Sequence, residues 1–456
     1  MIHNYLDISE RARTGQTLSK EDWDFRIIEK VQALVEKYEL AWDDQVITPD
    51  HPDLADRVFA AGKELILDIG VYALNKGRII ELSEQEILEG IHKMDRPLSM
   101  GEGKDACILL PRKILDTTPP TIWAGNPGVP TPERIFKASV KSWAQEPLVD
   151  LITCGSLVDV DGVNVVSGEL SELIASRREL SYLRQVREEV GRPGLGMLAA
   201  ESSVTEIGDL AATHPDLLRP CDSHLVAMFN ELMIDQGNML RAANSLFYGM
   251  ANASLATVMV GGLAGDAPGA AVVQVASFLA ANIVCLADYH LCHPIHIRYV
   301  ATSARGCMWL QSIVCQAFAR NAPAVIVCDI YPKSGALTKE LLYEVTANTI
   351  AISLSGGHLE GVGSADGSKP HGTGLEVRLM AEVAHAVTRQ NMSLLEGNRI
   401  IQLLLHKYEH IFETEGGNPG KSIEEAYDLL TVQPRPEWLS LYEMVKKDLI
   451  DMGIKL

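Results

Sequence analysis

Basic residues are in short supply. The chain has 40 Lys and Arg against 60 Asp and Glu, a formal net charge of −20 at pH 7. A surface of that sign repels a phosphate backbone or an anionic lipid face at long range, so nucleic acid and membrane surfaces are set aside as partners. Cysteine is sparse too. Cys107, Cys154, Cys221, Cys285, Cys292, Cys307, Cys315 and Cys328 are scattered through 456 residues without a C-x-x-C pair. That spacing excludes a disulfide framework and suits free thiols in a reducing cytoplasm. Met1 to Glu10 lacks a basic region followed by an apolar run, so no signal peptide is expected and the expected location is cytoplasmic. Neither the G-x-S-x-G nucleophile elbow nor the G-x-G-x-x-G dinucleotide pattern occurs. The one long uncharged run, 267–287, could span a bilayer by length. It is rich in Ala, carries Gln274, Ser277 and Asn282, and is closed by Asp266 and Asp288, which reads as a buried helix of a large core.

What is present is an apolar content of 47%, enough for a sizeable core, which excludes disorder. Residues 1–115 are helical in pattern and read as an N-terminal extension. Ser19-x-x-Asp22 and Ser83-x-x-Glu86 each open a run with helical spacing. From about 116 to 456 short apolar runs, turns and longer helical stretches alternate, the mark of repeated βα units. Eight strand candidates emerge: Thr121–Gly125, Asp150–Cys154, Gly194–Ala199, Leu225–Phe229, Thr257–Gly261, Ile295–Val300, Ala324–Ile330 and Thr349–Ser353. They fit an α/β fold, a (β/α)8 TIM barrel with helical additions at both ends, although a doubly wound open sheet gives the same count.

Several motifs invite a chemical reading. Glu415 to Ser422 nearly spells a phosphate loop, but it lacks the first glycine and follows a helix; Ser422-x-x-Glu425 reads as a capping box. Asp222, Ser223 and His224 are the residue types of a hydrolase triad, yet sequence neighbours point apart. His290, Cys292, His293 and His296 are zinc-ligand types within seven residues, with packed histidines as the default reading. Gly261–Gly265 and the stretch Gly356 to Gly374 are turn glycines first and ligand loops second. In a barrel, Glu201, Asp329 and Tyr331 stand at strand C-terminal ends and converge at the mouth.

The chain resembles the monomethylamine methyltransferases of methylotrophic methanogens. The likeness is carried in order by Glu21-Asp-Trp-Asp24, Gly191-Arg-Pro-Gly194, Glu201, Asp222-Ser-His224, Asn230-Glu-Leu232 and Gly261-Gly262. It continues through His296-Ile-Arg298, Tyr331-Pro332, Gly374-Leu-Glu376, Arg378, Glu382-Val-Ala384, Gly420-Lys421, Tyr427-Asp428 and Thr431-Val432. The resemblance implies a barrel, a homo-oligomer, and methyl transfer to a separate corrinoid protein, with the corrinoid (cobalamin) on the partner and none firmly bound to this chain. It implies Glu201, Asp329 and Tyr331 as catalytic residues, Leu198, Leu255, His224, His296 and Arg298 as substrate-binding residues, and no resident metal.

This chain departs from the family at telling places. Leu198 stands where the family carries pyrrolysine, Leu255 replaces a Glu, Asp329 replaces a Gln, and Cys292 and His293 also differ. An unprotonated amine is a poor leaving group, and Leu198 has no electrophile with which to capture it. A quaternary ammonium already carries its charge and needs orientation and desolvation rather than covalent capture. Glu201 and Asp329 would balance that charge and Tyr331 would face it as a cation–π partner. The expected function is therefore corrinoid-dependent methyl transfer from a methylated amine. The alternatives are a zinc-dependent methyltransferase acting on an alcohol or thiol through His290, Cys292 and His296, and a non-catalytic barrel that binds a metabolite or a corrinoid protein.

Overall fold

The computed structural model describes residues 2–456. Eight parallel strands form one sheet: β1 Ile122–Ala124, β2 Leu151–Ile152, β3 Gly196–Met197, β4 Ser223–Met228, β5 Ala251–Ala256, β6 Tyr289–Cys292, β7 Ile326–Ile330 and β8 His358–Gly361. The strand order is β3-β2-β1-β8-β7-β6-β5-β4, and a parallel bridge between Leu198 and Ser223 joins the two end strands. The sheet therefore closes into a barrel, which decides against the open-sheet alternative. Each strand is followed by a helix: α1 Glu133–Ala144, α2 Leu170–Glu189, α3 Glu206–Ala212, α4 Gln236–Tyr248, α5 Ala267–Val284, α6 Arg305–Asn321, α7 Lys339–Ser355 and α8 Gly374–Arg389.

Three strand candidates need correction. The fifth and sixth strands are Ala251–Ala256 and Tyr289–Cys292; within Thr257–Gly261 and Ile295–Val300 only Met259–Val260 and Ile295–His296 pair, in a small sheet beyond the barrel. Thr349–Ser353 lies inside α7 and the eighth strand is His358–Gly361. The physical reason is shared. Ala-Asn-Ala-Ser-Leu-Ala and Tyr-His-Leu-Cys mix small or polar residues into barrel strands, whereas the β-branched run of α7 belongs to a helix buried all round, where helical periodicity disappears.

The charge-free run is α5, buried along its length and opened by Asp266, whose side chain caps Ala267 N, and by Pro268 in the first turn. The helix Pro52–Ile69 from the N-terminal region lies against it so closely that a Cβ on Gly62 would sit 2.5 Å from Val275 Cγ1. The N-terminal region also supplies a hairpin, Leu98–Met100 paired with Cys107–Leu109, whose Met100 and Leu109 join Trp123, Leu151, Tyr289 and Val325 in the lumen. The capping expected at Ser19 and Ser83 is present. At Ser422 it is absent, because the helix that follows is a single turn, Ile423–Ala426, without a side-chain cap.

Candidate active site

Side chains alternate across each strand, so register decides what enters the lumen. Trp123, Leu151, Leu198, Ala253, Tyr289, Leu291, Val325 and Val327 form one buried cluster there, with Leu225 and Leu255 packed against it. Near the strand N-termini the polar groups find partners. Ser223 Oγ lies 2.7 Å from the Tyr289 hydroxyl, and His358 Nδ1 accepts from Thr121 N while its Nε2 lies 2.9 Å from Leu110 O.

Above Leu198 and Leu255 the lumen turns acidic. Asp329 and Tyr331 follow Val327 at alternate positions on and after β7, and Glu360 on β8 is the register partner of Asp329. Asp329 is 2% exposed and Glu360 is 0% exposed. Glu201 comes from the loop after β3, and His293 stands just past β6 with its Nδ1 in a short hydrogen bond to Asp329 Oδ2. The Glu360 carboxyl lies within hydrogen-bonding reach of the Asp329 carboxyl and the Thr153 hydroxyl, while Oε1 of Glu201 and Oδ1 of Asp329 receive no N–H from the described residues. Among the described residues no Lys or Arg pairs with any of the three carboxyls.

The surrounding elements hold this cluster in place. Glu179 of α2 accepts from Glu201 N at 2.9 Å and Ser202 N at 2.6 Å, which fixes the loop that carries Glu201. Gln311 of α6 donates to Asp329 O at 2.8 Å and Cys292 O at 3.3 Å, tying the ends of β6 and β7 together. The Tyr331 ring is wedged between the glycines of the loop after β8: a Cβ on Gly363 or on Gly367 would come within 2.6 Å of ring carbons. Its phenol donates to Pro127 O, and its ring centroid is 4.3 Å from that of His293. The Gly356 to Gly374 stretch thus seats an aromatic wall.

Burial governs the protonation of the cluster. Desolvation, then repulsion from Glu179, Glu360 and Asp329, pushes the Glu201 carboxyl well above the usual range. Desolvation and then Asp329 do the same to Glu360, and desolvation raises Asp329. Burial lowers His293 to about 4, and its Nδ1 faces the Asp329 carboxyl. The three carboxyls lie within electrostatic reach of one another, with Arg241 acting on Glu201 and His293 on Glu360, and none of them is paired with a Lys or Arg among the described residues.

The remaining candidates divide. Leu198 and Leu255 lie in the lumen below the carboxyls. His224, expected to bind substrate, faces the outer wall: its Nε2 is 3.1 Å from Asp209 of α3 and its Nδ1 is 2.6 Å from Ala199 O. The reason is strand alternation, since Ser223 takes the inward position. His296 stacks on Tyr299 beyond the strand ends, and Arg298 is exposed and pairs with Glu413 at 2.7 Å. Neither reaches the carboxyls.

The zinc alternative loses its ligands. His290 bonds Ser254 Oγ at 2.7 Å and stacks on Phe278 outside the barrel, Cys292 is on the same outer side, His293 points inward, and His296 is beyond the strands. Asp222, Ser223 and His224 likewise diverge, with Asp222 held by Arg219 and Met197 N. Glu360 and the partnership of His293 with Asp329 escaped the sequence reading. The available signal was His358-x-Glu360, two polar residues at strand spacing directly after a helix that Gly356 ends in a left-handed turn.

Comparison with known proteins decides the family. The profile described as Monomethylamine methyltransferase MtmB matches residues 3–454. The chain belongs to the MtmB family. Monomethylamine methyltransferase MtmB of Methanosarcina mazei is 30% identical over 453 residues, covering 98% of this chain and 97% of that protein. MtmB2 of Methanosarcina barkeri is 31% identical over 455 residues, with the same coverages. Crystal structures of the Methanosarcina barkeri enzyme and of a hydroxylamine MtmB complex both superpose with a TM-score of 0.95 at 29% identity, over 99% of this chain and 98% of theirs. This MtmB family member is thus a methyltransferase on a (β/α)8 barrel. Its lumen has Leu198 and Leu255 beneath the carboxyls of Glu201, Asp329 and Glu360.

Proposed function

We propose that this protein transfers a methyl group from a quaternary ammonium compound to the cobalt of a separate corrinoid protein. The observation that carries the reading is the carboxyl trio Glu201, Asp329 and Glu360, paired with no Lys or Arg among the described residues, above an apolar floor that includes Leu198 and Leu255. A cation with methyl groups satisfies both surfaces, since the carboxylates balance the charge and the leucines pack against methyl carbons. Leu198 offers no group for capturing a neutral amine, whereas a permanent cation departs as a neutral amine without such help.

The corrinoid supplies a strongly nucleophilic cobalt(I) that takes the methyl group. The lower lumen is filled by Trp123, Tyr289, Leu151 and Val325, so a macrocycle has no room inside the barrel and must be presented at the mouth by its carrier. This chain's residues hold the donor there. The carboxylates replace the water shell of the ammonium, the His293 and Tyr331 rings wall one side, and the leucines below fix the depth. The C–N bond breaks with its electron pair remaining on nitrogen, and the methyl carbon takes a new pair from the cobalt, so one positive charge leaves the site with the methyl group.

The test is a purified reaction with reduced corrinoid protein and a donor series from monomethylammonium to tetramethylammonium, followed by the absorbance change on cobalt methylation. Turnover rising toward the fully methylated donors is expected. Turnover confined to monomethylammonium would overturn the reading.

A further inference from the structure

Because the lumen holds three carboxyls and, among the described residues, no Lys or Arg paired with them, the site constrains the rest of the donor molecule as well as its charged end. We infer that the methyl donor is a quaternary ammonium that carries no anionic group, so that choline-like and tetraalkylammonium cations are accepted and betaine-like inner salts are rejected. This rests on the function proposed above and narrows its substrate class.

Glu360 and Asp329 stand side by side as register partners, both buried, their carboxyls within hydrogen-bonding reach of each other. Glu201 faces the same space from the loop after β3. The basic groups near the mouth are committed elsewhere. Arg241 lies behind Glu201, donates to Ser203 O at 2.9 Å, and faces Asp209 and Glu172. Lys333 pairs with Asp366 at 2.7 Å, and Arg298 pairs with Glu413 on the exposed rim. His293 is engaged with Asp329 through the one ring nitrogen that faces it. A donor with its own carboxylate would add a further negative charge to a low-dielectric space without a counter-cation. Like charges brought together in such a setting cost several kcal/mol, at least about a hundredfold in affinity.

Glu360 is the residue that sets this selectivity. Its carboxyl is the most buried of the three, lies beside the Asp329 carboxyl, and is paired with no Lys or Arg among the described residues. Removing its charge without changing its shape lowers attraction for the plain cation and also lowers repulsion of the inner salt. A merely structural role would affect both donors alike.

The experiment compares choline, tetramethylammonium and glycine betaine on the intact protein, by calorimetric binding without corrinoid and by cobalt methylation with it. Expected is binding of the two cations at least about a hundredfold tighter than of the betaine, and a choline-to-betaine ratio that falls tenfold or more in Glu360→Gln. Betaine bound or turned over as well as choline would overturn the inference while leaving quaternary methyl transfer intact. Failure of all three to bind would overturn both. Should Glu360→Gln not fold, the wild-type affinity ratio alone decides.

Discussion

Two sets of buried carboxyls in this barrel have opposite fates. In the outer wall, Glu172 accepts from Thr205 N and Gly168 N, Glu179 from Glu201 N and Ser202 N, and Glu344 from Lys333 N, Ser334 N and Ser303 Oγ. Every one of their oxygens is met by a donor, and each ties down a loop beyond the strand ends. In the lumen, Asp329 and Glu360 are as deeply buried while Glu201 is partly exposed, and no backbone amide of the described residues bonds any of their side-chain oxygens. Burial of an acid is therefore no signature of function by itself. The difference between the two sets is whether the backbone supplies amide donors to the carboxyl oxygens.

That contrast can be broken by substitution. Glu360→Gln is expected to weaken tetramethylammonium binding by about a hundredfold or more, since it removes a desolvated charge partner. It should also raise the melting temperature of the empty protein, because a raised carboxyl pKa is a stability cost at neutral pH. Glu179→Ala should do the reverse to stability. It strands two buried amides and loosens the loop bearing Glu201, for a loss of about 2–4 kcal/mol in denaturant unfolding. If both substitutions shift stability the same way, the two sets are not distinct.

Protonation sharpens the comparison further. The lumen carboxyls have folded pKa values raised by burial and mutual repulsion, so their contribution to stability is complete below the ordinary carboxyl range, near about 4, and is lost as pH rises through the raised values. The melting temperature of wild type should therefore fall behind that of Glu360→Gln progressively as pH increases from about 5 to 8. Affinity for a permanent cation should rise over the same interval, because the ionised form binds it. A constant gap between the two proteins would contradict the assigned sign. The smallest effect is expected at the rim, where Arg298→Ala breaks only an exposed pair with Glu413 and should change stability by less than about 0.5 kcal/mol and donor affinity by less than about twofold.

Legibility in the sequence followed the physics of burial. The βα alternation, the buried helix α5 and the strands ending near Glu201 and Asp329 were readable because apolar runs and turn residues punctuate them. The strand at Ala251–Ala256 was not, as its small residues leave room for neighbours inside the barrel and carry little β signal. The strand at His358–Gly361 was hidden for the reason that makes it matter: it puts His358 and Glu360 into the lumen, where a pattern reader expects apolar side chains. Convergence of Glu201, Asp329 and Tyr331 followed from placing each at a strand end. The inward or outward choice at His224 depended on register, which a one-residue shift reverses and which only the closed barrel fixes.

A cation entering the lumen ionises carboxyls whose pKa values burial has raised, so its binding releases protons. Titrating tetramethylammonium into the intact protein at pH 7, in buffers of different ionisation enthalpy, counts protons expelled as carboxyls ionise around the ligand. The account predicts release of about one proton or more per bound cation in wild type and a smaller release in Glu360→Gln. Binding with no proton release, or the same release in both proteins, would contradict it.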